Sequence, residues 1–132
     1  MSLKEWKKKY YPVDAEDMCH LDDISVTEAA LLKWSGLTKD ALSKYNLWLN
    51  SCNGFGPSIA DNGEVFVIDA DTCSLCHKYC DCDICPIHLV SGEDCTKEYG
   101  IFGQDGDPFP MIILLSKTLT YLRKKEKIGE IA

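Results

Sequence analysis

The sequence predicts a small single-domain α+β protein, a helical hairpin and a C-terminal helix packed around a short β-hairpin and a metal knuckle. Three observations carry that expectation. Residues 1–57 hold capped apolar stripes at helical spacing. Residues 58–102 hold a β-rich run beside an Asp-Asn-Gly turn, followed by clustered cysteines. Residues 103–132 hold one long apolar stripe. At 132 residues the chain can bury roughly two-thirds of its unfolded surface as one domain.

The helical elements come first. Trp6 and Tyr10 stand one turn apart in a lysine-rich stretch that stops at Pro12, which suits a short helix with its aromatic face in the core. Ser25-Val26-Thr27-Glu28 has the form of a capping box, so a helix is expected to begin after Ser25. Val26, Ala30 and Trp34 then share a face, and Gly36 terminates it. Thr38 can cap a second helix in which Ala41, Leu42, Tyr45, Trp48 and Leu49 keep helical spacing. The turn at Gly36 makes the pair a helical hairpin.

Residues 53–57 read as a loop, with two glycines and a proline. Ser58-Ile59-Ala60 and Glu64-Val65-Phe66-Val67-Ile68, joined through Asp61-Asn62-Gly63, read as a β-hairpin that delivers the chain to Cys73. Residues 103–110 are rich in turn formers. A final helix is expected over residues 111–127, with Pro108 and Pro110 at its entry and Ile112, Leu115, Leu119 and Leu122 as its apolar stripe. Arg123, Lys124, Lys125 and Lys127 suit the negative end of its dipole.

Six of the eight cysteines lie within 23 residues, at Cys73, Cys76, Cys80, Cys82, Cys85 and Cys95. Cys73/Cys76 and Cys82/Cys85 are Cys-x-x-Cys pairs, and each such turn can aim two sulfurs at one point. Two facing turns supply four thiolates at tetrahedral corners, the demand of a structural zinc site. The expected ligands are therefore Cys73, Cys76, Cys82 and Cys85, forming a zinc knuckle. Cys95 can replace one of them, and His77 and His88 can substitute through imidazole nitrogen. Cys80 ranks last, because residues two apart with Cys82 diverge on an extended chain.

An even cysteine count also suits a disulfide framework. Against it, the basic and polar N-terminus lacks the apolar stretch of a secretion signal, and the cysteines cluster instead of spreading. A cytoplasmic setting follows as the expectation. Iron–sulfur chemistry is the rival use of these thiolates, since Cys85-Pro86 matches the pair that closes bacterial ferredoxin motifs. The repeated two-residue gaps of those motifs are missing, and Lys78, Asp81 and Asp83 are charged where such loops are small and apolar.

Charge narrows the function. Net charge is −7, yet residues 61–107 alone hold eleven carboxylates against two lysines. Nucleic-acid binding needs the opposite field, so the cysteine segment is a poor partner for phosphates. The basic residues lie at the two ends. No apolar run approaches the ~20 residues of a membrane span. A four-thiolate zinc has no open coordination position, and His20, His77 and His88 stand in no catalytic motif, so an enzyme is not expected.

Several phrases together carry a resemblance: Glu5-Trp6-Lys7-Lys8-Lys9-Tyr10-Tyr11-Pro12-Val13, Lys33-Trp34-Ser35-Gly36-Leu37, and Cys73-Ser74-Leu75-Cys76 ahead of Cys82-Asp83-Ile84-Cys85-Pro86. Gly92-Glu93-Asp94-Cys95 and Gly106-Asp107-Pro108-Phe109-Pro110-Met111 complete the set. The chain resembles small cysteine-rich proteins of tailed bacteriophages that have no assigned function. The resemblance implies expression in a reducing bacterial cytoplasm, and Cys80 is the cysteine least expected in that pattern. The reading is a zinc-stabilised protein–protein interaction module, a phage accessory protein acting on an unidentified host protein. The alternatives are a nucleic-acid-associated zinc protein using the basic termini, and a cytosolic iron–sulfur protein. Tyr79 and Tyr99 are the expected aromatic anchors for a partner.

Overall fold

Helix α1 (Leu3–Tyr10) lays Trp6, fully buried, against the turn that follows the next helix. The computed structural model describes residues 2–50, 57–61, 63–69, 72–79, 84–93 and 95–131, with side chains described through residue 127. A single 3₁₀ turn (Ala15–Met18) leads to α2 (Asp23–Ser35) and α3 (Lys39–Lys44). Strands β1 (Trp48–Asn50), β2 (Ser58–Ala60) and β3 (Val65–Val67) follow. Then come α4 (Ser74–Lys78), α5 (Pro86–Ser91), α6 (Thr96–Asp105) and the long α7 (Phe109–Ile131). The result is one mostly helical α+β domain with a three-stranded antiparallel sheet.

α2 is the central element. It packs chiefly on α7, with α4 and α1 on its other sides. Val26, Ala30 and Trp34 are buried as their spacing predicts, and Gly36 caps the C-terminus. The start differs from the expected capping box. Asp22 is the N-cap, its carboxylate accepting from the Ser25 N–H at 3.1 Å, so Ser25 lies inside the first turn. Thr38 does cap α3, accepting from the Ala41 N–H at 3.2 Å.

α3 is shorter than its sequence pattern. Asn46 adopts φ 56, which ends the helix, and Trp48 and Leu49 enter β1 instead of a further helical turn. Helical spacing at 45, 48 and 49 loses to strand pairing. β1 pairs with β2 and β2 with β3, so the expected hairpin is extended to three strands. Leu49, Ile59 and Phe66 form one row across that sheet, with Ile59 and Phe66 buried in the core. Residues 96–105 also differ from expectation. They form α6, whose C-cap is Gly106 at φ 69. α7 begins two residues before the predicted start and continues past residue 127.

Asp61 ties the sheet to α1. Its carboxylate accepts from the Leu3 N–H at 2.9 Å, the Gly63 N–H at 2.9 Å and the Glu64 N–H at 2.8 Å. Those donors, Leu3 foremost, hold the carboxyl below the usual carboxylate range. A depressed folded-state pKa contributes stability above the ordinary carboxylate pKa and loses it as pH falls through the folded value. Asp61→Ala is therefore expected to lower the melting temperature at neutral pH. The gap to wild type should close as acid protonates the carboxyl. A gap of constant size down to acid pH would count against the assignment.

Candidate metal centre

The cysteine segment is pinned to α2 on both sides of Cys73. Lys33 on α2 donates from Nζ to the Thr72 carbonyl at 2.8 Å. The Ser74 hydroxyl, buried, donates to the Val26 carbonyl at 2.6 Å. Cys73 is thus held between two anchors on one helix face. Further along α4, Lys78 pairs with Asp23 at 3.3 Å and also donates to the Leu21 carbonyl. The Tyr79 hydroxyl binds the Asp23 carboxylate. At the far edge, the Tyr99 hydroxyl donates to the Ile68 carbonyl at 2.5 Å, fixing α6 to the exit of β3.

Three short helices begin at cysteines. Cys73, Cys85 and Cys95 occupy the N-cap positions of α4, α5 and α6, and Cys76 stands in the first turn of α4. The positive ends of the backbone dipoles favour thiolate at these positions. These four cysteines and His88 line one cavity of about 20 Å³, together with Leu75, Tyr79 and Ile87. That volume admits about one water-sized particle. The five cysteines with described thiols, Cys19 among them, are free of disulfides.

The thiols feel one another. The Cys76 thiol donates toward Cys73, and this contact, with the charge of Lys33 and the N–H groups of Cys76 and Leu75, pulls Cys73 below the ordinary thiol range. Cys76 moves the opposite way. The same contact and burial keep its proton on, and the nearby charges of Cys73, Cys95 and Cys85 add to that. Four sulfurs therefore share an electrostatic neighbourhood in which they cannot all ionise without added positive charge. His88 adds a second signal, since its Nδ1 is buried and has no hydrogen-bond partner among the described residues. Such an atom costs about 1–3 kcal/mol unless something satisfies it.

Among the described residues, no three His, Cys, Asp or Glu side chains are placed tightly enough to hold a metal ion. Of the expected ligands, Cys73, Cys76 and Cys85 meet at the cavity, while Cys82 lies outside the described residues, as does Cys80. The alternate Cys95 and the alternate His88 join them there. His77, the third alternate, is not among the cavity-lining residues. Soft thiolates with one imidazole are donor types that zinc takes, so the residues match zinc in chemistry and not in placement.

A second cavity, of about 260 Å³, adjoins the first and shares Cys73, Cys76 and Cys95 as wall. Trp34, Met111 and Leu115 make its apolar side, and Lys33, only 2% exposed, closes it toward α2. Sequence reasoning missed Lys33. Its signal was present, since residue 33 falls on the same α2 stripe as Val26 and Ala30. Tyr79 and Tyr99, the expected aromatic anchors, flank the cysteine cavities. Both are half-buried and spend their hydroxyls on internal bonds.

No protein-family model, curated protein or solved structure matches this chain. Among the described residues no helix is long and apolar enough to cross a membrane.

Proposed function

We propose that the chain is a zinc-stabilised protein–protein interaction module. The observation that carries this reading is the meeting of Cys73, Cys76, Cys85 and Cys95 at one ion-sized cavity from the starts of three short helices. A closed thiolate site of that kind supplies structure instead of catalysis. Zinc is preferred to an iron–sulfur cluster because the repeated two-residue gaps of ferredoxin motifs are missing from the cysteine segment. The phage resemblance adds a setting, the reducing cytoplasm of a bacterial host, in which thiols stay available for metal.

The binding role rests on the surface. Ile84 and Leu89 are 57% and 58% exposed beside the cysteine segment, and Phe109 and Ile113, one turn apart on α7, are 55% and 53% exposed. Residues 61–107, which include Ile84 and Leu89, are strongly acidic, which favours a basic protein surface over nucleic acid.

Elemental analysis of protein purified under reducing conditions without added metal tests the zinc half. About one zinc per chain and a colourless solution are expected. Less than about a tenth of an equivalent, with every thiol free, would refute the proposal. Iron with visible absorbance would replace it by the iron–sulfur reading. For the binding half, duplex DNA at roughly 0.15 M salt should bind no tighter than about 100 micromolar. Tight, salt-sensitive binding lost on neutralising Lys7, Lys8 and Lys9 would promote the nucleic-acid alternative.

A further inference from the structure

Lysine is almost never fully buried without compensation. Lys33 is 2% exposed, and it ranks among the largest fully enclosed side chains of the protein. Its hydrogen bond goes to a neutral group, the Thr72 carbonyl at 2.8 Å, and its Nζ stands 5.8 Å from the Trp34 ring centre. Neither supplies a full negative charge. Burial pushes this ammonium below the ordinary lysine range, and electrostatic interaction with Cys73 first, then Cys76, Asp69 and Cys95, opposes the shift. Three of those four are sulfurs of the candidate centre.

We propose that the Lys33 ammonium is the built-in countercharge of the cysteine cluster, so that zinc is held tightly only while residue 33 is cationic. This inference rests on the zinc reading above. Four thiolates around one divalent ion leave two net negative charges. Here those charges would sit against a largely apolar cavity of about 260 Å³, whose wall is shared by Lys33, Cys73, Cys76 and Cys95. Water does little screening in such a place, so one cation across the wall acts strongly on the cluster. Each partner resolves the other's difficulty: the lysine gains an anion and the thiolates gain a cation. The bond to Thr72 also brings the charge next to Cys73.

The test compares Lys33→Met with Lys33→Arg in the full reduced chain. Zinc affinity is read by competition with a chromophoric chelator, and the stability of zinc-free protein by thermal melting. Lys33→Met should weaken zinc binding about tenfold or more. The zinc-free variant should melt no lower than wild type, because an uncompensated buried charge has been removed. Lys33→Arg, whose extra atoms the adjacent cavity can take, should stay within about threefold of wild type because it keeps the charge. If Lys33→Met needs zinc to fold, the zinc concentration at its folding midpoint gives the same comparison. Affinity of Lys33→Met within about twofold of wild type would overturn the proposal. Equal losses in the Met and Arg variants would overturn it too, since the effect would then follow shape and not charge. A wild-type chain that takes up no zinc overturns the zinc reading and this inference with it; a zinc-binding wild type with an indifferent Lys33→Met overturns this inference alone.

Discussion

Cys73→Ser, Cys76→Ser, Cys85→Ser and Cys95→Ser are each expected to abolish tight zinc retention and to unfold at least α4 and α5. The energetic reason is one of scale. A structural zinc contributes on the order of 10 kcal/mol, as much as the whole stability of a typical small domain. The segment it would hold has little else, because α4 spans 5 residues and α5 spans 6. Helices that short are unstable alone and depend on tertiary anchors. Hydrogen exchange should therefore show loss of protection over residues 72–93, with metal analysis showing the loss of zinc. Cys19→Ser, at an exposed thiol outside the cluster, should change neither. Cys82→Ser decides between the two ligand sets. Zinc loss in Cys82→Ser with retention in Cys95→Ser would restore the two-knuckle set of Cys73, Cys76, Cys82 and Cys85. The reverse pattern supports the cavity set, and full zinc retention in all five would sink the site.

What was legible in the sequence depended on the length over which a pattern could repeat. Val26, Ala30 and Trp34 repeat for three turns, and α2 forms as read. Its start was misplaced, since Ser25 with Glu28 has the form of a capping box while the Asp22 carboxylate takes the N-cap position. Trp48 and Leu49 continued a helical period only on paper. Asn46 at positive φ turns the chain, and pairing of Leu49 with Ile59 supplies what another helical turn would have. α4 and α5 are too short to show an apolar period, so they were read only as knuckle. Spacing could nominate the cysteines but not rank Cys95, which reaches the cavity because α6 packs back on the core, Phe102 edge-on to Trp34 at 4.8 Å. Lys33 was hidden for a different reason: charged residues are assigned to solvent by habit, even when their register places them inside.

Trp6→Ala is expected to be the most damaging change outside the cysteine segment. Trp6 is fully buried, its ring centre 5.6 Å from Tyr10 and 5.5 Å from Phe66, so it joins α1 to the sheet. Its indole N–H donates to the Gly36 carbonyl at 2.7 Å, so it also joins α1 to the turn between α2 and α3. Truncating a buried tryptophan costs about 3–5 kcal/mol, which for a chain of this size lowers the melting temperature by roughly 10 °C or more. Trp6→Phe should keep most of the packing and lose about 1–2 kcal/mol, the share of the hydrogen bond. Gly36 is the other half of this joint. A Cβ there would lie 2.5 Å from Tyr10 Cγ and 2.8 Å from Trp6 Nε1, so Gly36→Ala forces the rings aside. Once Trp6 is already alanine, the Nε1 contact is gone and the Tyr10 ring has room to move aside. The double variant should therefore be less destabilised than the two single losses combined, by about 1 kcal/mol. Denaturant melts of the four proteins measure that coupling. Strict additivity would mean that the indole and the glycine act separately, and that close approach of α1 is not what residue 36 protects.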